Sequence, residues 1–190
     1  NNPRLITGLA ASVLDLEKDG AHMQVEAVRV FEGGAPSSED FAAMIESRLH
    51  QVPRYRQKLG FPPLTQARPV WVDDPHFNIS YHLRHTALPA PGSDEILRRT
   101  AARLFAQRLD RRKPLWEIWM VEGHSDGRWA LLSKVHHCMV DGVSATDLMT
   151  VMFDDAPAPA SVSAWEPGPE PTGAELVLRS LSHQLSNPSE

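Results

Sequence analysis

The sequence is poor in several things at once. It holds one cysteine, Cys138, among 190 residues, which excludes an internal disulfide framework and a cysteine-rich zinc site and predicts a reducing compartment. It has no basic surplus: 19 Lys and Arg stand against 24 Asp and Glu, a net charge of −5, which argues against a general nucleic-acid binder. It has no long apolar run. The longest, Trp129 to Val135, is interrupted by Lys134 and falls far short of the ~20 residues that span a bilayer. The opening Asn1-Asn2-Pro3 carries no secretory pattern. What is present is 42% apolar content, enough at this length for one domain with an appended tail. Composition predicts a soluble, cytoplasmic, globular chain.

The patterning predicts alternating elements. Residues 5–20 carry Leu5, Leu9, Val13 and Leu16, compatible with a helix or a loop on a core. His22 to Phe31 is rich in β-branched residues and reads as a strand. Ser37 is an N-cap before Phe41, Met44, Ile45 and Leu49 at helical spacing. Val70 to Val72 predicts a short strand, and Ile79, Tyr81 and Leu83 alternate with polar residues as a half-buried strand does. Ser93 opens a helix with the stripe Leu97, Ala101, Leu104 and Phe105. Trp116 to Glu122 and Trp129 to His136 flank an Asp126-Gly127 turn, the mark of a hairpin. The second of these strands is apolar on both faces and belongs in the middle of a sheet. Ser144 and Asp147 predict a cap for a short helix through Val151. This order predicts a mixed α/β fold rather than a bundle or sandwich. Residues 1–153 read as the domain and 154–171, with Pro157, Pro159, Pro167, Pro169 and Pro171, as an extended linker. Thr172 and Glu175 form a capping box for a helix over 172–190, with Leu178, Leu181 and Leu185 as its stripe.

The densest chemistry lies at His136-His137-x-x-x-Asp141-Gly142, where the buried strand ends. A strand end fixes a group while the following loop admits substrate. Along a strand His136 and His137 face opposite ways, so one can serve as a base while the other is structural. A histidine of ordinary pKa near 6.5 suits removal of a proton from a hydroxyl or amine attacking a carbonyl. With a thioester as electrophile, the thiolate departs without much help, its pKa being about 8.5. The spacing equally allows a pair of structural histidines. His137 and Asp141 at i and i+4 could also hold a metal on a helix, but the preceding strand and Gly142 oppose a helix there. Cys138 beside a histidine admits a nucleophile reading, against the simpler one of a small buried cysteine. His50, His76, His82, His85, His124 and His183 show no motif spacing. The run Arg98, Arg99, Arg103, Arg108, Arg111, Arg112 and Lys113 reads as a solvated helix face or as attraction for a phosphorylated carrier or an anionic lipid surface. The tryptophans sit mostly at strand positions and read as core.

Together with Pro114-Leu115-Trp116-Glu117, about twenty residues upstream, the histidine motif resembles the bacterial wax ester synthase/diacylglycerol acyltransferase family. Val52-Pro53-Arg54-Tyr55-Arg56-Gln57-Lys58-Leu59, Trp71-Val72-Asp73-Asp74 and Phe77-Asn78-Ile79 resemble its amino-terminal half, as does the segment around Leu14-Asp15-Leu16-Glu17. Ala21-His22-Met23-Gln24-Val25 departs from the family's usual proline-methionine-histidine-valine run. The resemblance implies a chloramphenicol acetyltransferase-like α/β fold, a mixed β-sheet packed with helices, as one of two similar domains with a tunnel between them. It implies His137 as general base, His136 as its support and Asp141 as the residue that orients the loop. Gly142 and Trp116 fall at substrate-side or tunnel-shaping positions. The implied reaction moves a fatty acyl group from acyl-CoA, a substrate, to a long-chain alcohol or diacylglycerol, with no metal and no bound cofactor. The implied partners are a carboxy-terminal domain not in this sequence and, at the periphery, the inner membrane face or lipid droplets. An apolar surface beside His137 is expected where that domain would sit. Condensation-domain and polyketide-associated acyltransferases share the short histidine signature with other acceptors, and a non-catalytic lipid- or partner-binding half domain would carry it idle.

Overall fold

The computed structural model describes residues 23–63, 68–140, 150–151 and 165–186. The expected segments at 5–20 and 144–149, most of the linker, Asp141 and Gly142 lie outside these. Strand β1 (Gln24–Phe31) leads to helix α1 (Ser38–Arg48), then β2 (Gln57–Gly60) and β3 (Val70–Asp73). The single turn α2 (Ile79–His82) runs into β4 (Leu83–Ala87), followed by α3 (Asp94–Phe105), β5 (Trp116–Glu122), β6 (Trp129–His136) and α4 (Gly173–Ser186). Four strands form one sheet in the order β1-β6-β5-β4, while β2 and β3 pair separately. The sheet is mixed: β1 and β5 run antiparallel to β6, and β4 runs parallel to β5.

The starts of α1 and α3 follow from their caps. The Ser37 hydroxyl accepts the Asp40 N–H and the Ser93 hydroxyl the Ile96 N–H, with acids in each first turn complementing the helix dipole. The β5–β6 turn uses Gly123 and Gly127 at positive φ, where a side chain would be strained. As its apolar pattern required, β6 is central and almost wholly buried. Its alternate residues feed two cores. Leu131 and Val135 join Trp116, Ile118 and Met120 of β5 beneath Phe41 and Ile45 of α1. Ala130 and Leu132 join Val121 beneath Leu97, Ala101 and Leu104 of α3.

Lys134 sits in the middle of this apolar strand, 1% exposed. Its ammonium donates to the carbonyls of Leu104 (3.1 Å) and Gln107 (2.8 Å), closing the end of α3, and stands 3.5 Å from the Glu117 carboxylate. Buried charge is tolerated because it is paired and answers carbonyls that a helix end leaves open.

Two expectations are corrected. Ile79 to His82 is a helical turn, not the start of a strand. The Asn78 side chain accepts the Ser80 N–H at 2.9 Å and caps it, so a local side-chain bond overrides the alternating pattern. In α4 Leu178, the first leucine of the predicted stripe, does not face the core, and the side chains of Leu181 and Leu185 lie outside those described. Leu178 is 66% exposed, whereas Leu176 packs on Val70 and Val72 of the small sheet. Two residues along a helix turn the face by roughly 200°. The capping box itself forms: Glu175 accepts the Thr172 N–H at 2.7 Å, and Thr172 Oγ1 accepts the Glu175 N–H at 3.4 Å.

Candidate active site

Two backbone bonds fix the end of β6. The His136 N–H donates to the Leu115 carbonyl at 3.0 Å, and the His137 N–H to the Met23 carbonyl at 2.8 Å. The neighbours on either side thus hold consecutive residues, and there the strand stops. His137 begins a short 3-10 turn through Met139. The turn is capped from behind: His136 Nδ1 accepts the Cys138 N–H at 3.2 Å. An accepting Nδ1 puts the proton of the neutral imidazole on Nε2.

The two histidines are separated as strand geometry demands. His136 is 1% exposed and buried with Cys138 and Met139 at 4% each, while His137 is exposed. One ring braces the turn and the other is presented to whatever occupies the space beyond. Cys138 lies buried, as a small core residue would. Among the described residues no cluster of three or more His, Cys, Asp or Glu side chains could hold a metal.

Trp116 is fully buried, and its role is visible in its bonds. Its indole N–H donates to the Tyr55 carbonyl at 2.8 Å, and its own carbonyl accepts from His82 Nδ1 at 2.8 Å. The His82 ring stacks on the indole at 4.5 Å and on Phe77 at 5.2 Å. Trp116 therefore shapes the layer behind the histidine turn rather than offering a face to solvent. The spacing of the two motifs acquires a physical reason here. Leu115 supplies the carbonyl that holds His136, and Trp116 pairs with Val135 in the sheet register.

Sequence reasoning passed over His82. It is 1% exposed, and burial pushes its pKa down to about 4, against the smaller upward pull of its bond to Trp116. Its only sequence signal is its place after the Phe77-Asn78 cap. Glu117 belongs to the upstream motif, and nothing local in the sequence marks it as the partner of Lys134. Their direct pairing across β5 and β6 is legible only once the hairpin register is known.

A model of the wax ester synthase/diacylglycerol acyltransferase catalytic domain matches residues 6–189. The chain belongs to this family. It is 41% identical over 153 residues to a probable diacylglycerol O-acyltransferase of Mycobacterium tuberculosis, covering 80% of this chain and 33% of that protein. A second protein so named from the same organism is 43% identical over 154 residues, covering 80% and 57%. The chain thus spans between a third and little more than half the length of these relatives. Among solved structures, the wax ester synthase/diacylglycerol acyltransferase of Marinobacter aquaeolei VT8 superposes with a TM-score of 0.59 at 33% identity, over 74% of this chain and 36% of that one. The starter condensation domain of a rhizomide synthetase gives a TM-score of 0.61 at 13% identity, over 80% and 36%. That likeness shows a shared fold, the chloramphenicol acetyltransferase-like α/β architecture, of which this chain is a part.

Proposed function

We propose that this chain is the motif-bearing domain of an acyl-CoA-dependent O-acyltransferase that transfers a fatty acyl group to a long-chain alcohol or diacylglycerol. The observation that carries the reading is the division at the end of β6, with His136 buried as a brace and His137 exposed in a held backbone. The names of its relatives point to the same chemistry. In this reading His137 removes the hydroxyl proton as the acceptor oxygen attacks the thioester carbonyl. The C–S bond then breaks and the proton passes to the departing coenzyme A thiolate. Asp141 orients the loop and Gly142 lets its backbone turn close to substrate, while Trp116 supports the wall from behind. The chemistry requires neither a metal nor a bound cofactor, since acyl-CoA is a substrate. A carboxy-terminal domain supplies the opposite wall, and the protein works at the periphery of a membrane or lipid droplet.

The test is His137→Ala in the full-length protein, with a labelled acyl-CoA and, in separate reactions, an alcohol, diacylglycerol and an amine. Loss of at least ~100-fold in transfer to the oxygen acceptors is expected, the scale of a removed general base. Undiminished transfer would remove His137 from the mechanism, and preference for the amine would replace the acceptor class.

A further inference from the structure

Residues 165–172 lead into α4 and are tied to the small sheet on the way. The Gly168 N–H donates to the Asp73 carboxylate at 3.0 Å, and Glu170 pairs with Lys58 at 2.8 Å. Glu170 is exposed, so the ion pair adds little strength. Trp165, at the start of the segment, makes contacts of another kind. Its ring meets Phe77 edge-on with 6.1 Å between centroids, and the Arg56 guanidinium stands 5.2 Å above the indole. Arg56 is 9% exposed, a desolvated cation for which an indole face is a favourable neighbour.

Both contacts lead to Trp116. Phe77 lies nearly parallel to His82, at 16°, and His82 nearly parallel to Trp116, at 14°. Arg56 follows Tyr55, whose carbonyl takes the Trp116 indole N–H and whose ring meets Trp116 edge-on at 5.5 Å. Trp165, Phe77, His82 and Trp116 thus form one aromatic column from the connecting segment into the core. At its inner end, Leu115 supplies the carbonyl that holds the His136 N–H. His82 and Trp116 are 1% and 0% exposed, whereas Phe77 is half-buried beside Trp165. In a close-packed interior, a ring that loses its neighbour on one side forfeits those contacts outright, and the rings behind it gain room to move.

We infer that Trp165 is a positioning residue for the histidine turn, closing the outer end of the column so that docking of the connecting segment and order at the end of β6 go together. The bonds at Asp73 and Lys58 tether the segment without it; what Trp165 adds is cover for the column. This role is read through the proposed acyl transfer in one assay and through the backbone alone in another.

The experiment compares Trp165→Ala, Trp165→Phe and Phe77→Leu with the full-length parent, in acyl transfer and in amide hydrogen exchange. Trp165→Ala should lower kcat about 10-fold, equivalent to about 1.4 kcal/mol and within the worth of an aromatic pair, with KM for acyl-CoA unchanged. Trp165→Phe should restore most of the loss. Trp165→Ala combined with Phe77→Leu should lose no more than Phe77→Leu alone, because both act through His82 and Trp116. In Trp165→Ala the His136 amide should exchange about 10-fold faster, while Leu131 and Leu132 in mid-strand keep their protection. Thr172→Ala, which loosens α4 without touching the column, should keep the parent's kcat.

Equal acceleration at every β6 amide would make Trp165 a residue of general stability and overturn the assignment. Parent-like kcat and exchange in Trp165→Ala, multiplying losses in the double variant, or a rise in KM alone would overturn it too. A parent inactive with every acyl-CoA and acceptor would sink the catalytic reading instead, and the exchange at His136 would still decide for or against Trp165.

Discussion

The face of the sheet beneath α1 is sealed over β5 and β6 from Ile45 to Trp116 and reaches the end of β1 at Phe31, which stacks on Trp129 at 4.6 Å, while Val25 on that face is 47% exposed; the face beneath α3 is likewise closed over β5 and β6 and open over β1 at Val28 and Val30. Both faces hold buried polar groups. On the sealed side the His82–Trp116–Tyr55 chain of bonds stiffens the layer behind the histidine turn. On the other, Lys134 ties β6 to the end of α3 and leaves the neighbouring strand bare. The difference shows that this fold spends its packing on fixing the end of β6. What it leaves uncovered is the edge strand β1, at Val25, Val28 and Val30.

The comparison is broken most directly on the sealed side. Trp116→Ala should cost about 3–5 kcal/mol, the range for deleting a buried tryptophan, with a further contribution from the lost indole N–H bond to the Tyr55 carbonyl. Val28→Ala on the open side should change stability by less than about 0.5 kcal/mol. Urea unfolding of both variants measures the contrast, and similar losses at the two positions would show that the β1 face is more fully packed than its exposure indicates.

The next effect is one of pH. A histidine held near pKa 4 when folded and near 6.5 when unfolded takes up a proton more readily in the unfolded chain between those values. Stability from keeping His82 neutral is therefore complete above pH 6.5, falls as pH drops through the window, and is gone below 4. At 1.36 kcal/mol per pKa unit it amounts to roughly 3 kcal/mol. His82→Phe keeps an aromatic ring in the stack but cannot titrate, so its unfolding free energy should decline less steeply between pH 6.5 and 4. Parallel curves for parent and variant would show that another group governs the acid limb.

Much of this fold was legible because period and punctuation agree in it. The bounds of β5 and β6, the Ser37 and Ser93 caps and the Thr172–Glu175 box all come from local chemistry that acts before tertiary contact. The separation of His136 from His137 was legible too, since strand alternation alone dictates it. What escaped depends on partners far along the chain. His82 becomes a core residue only when Trp116, thirty-four positions away, supplies its carbonyl and its stacking surface. The phase of α4 is set by Val70 and Val72, and no periodicity within 172–186 could disclose that Leu176 rather than Leu178 would find them.

The smallest effect sharpens that last point. Thr172→Ala removes an N-cap, a change of about 1 kcal/mol, at a helix whose described apolar anchor is Leu176 alone. On the sealed side Ser37→Ala should cost a similar amount but leave α1 in place, because Phe41 and Ile45 hold it by burial. At α4 the lost cap competes with a single leucine contact, so the helix should loosen locally before the domain unfolds. Hydrogen exchange separates the two outcomes: the Thr172→Ala chain should lose protection across α4 while β2 and β3 keep theirs, and Ser37→Ala should lower protection in α1 only in step with global stability. Unchanged protection of α4 would mean that this helix is held by more than Leu176.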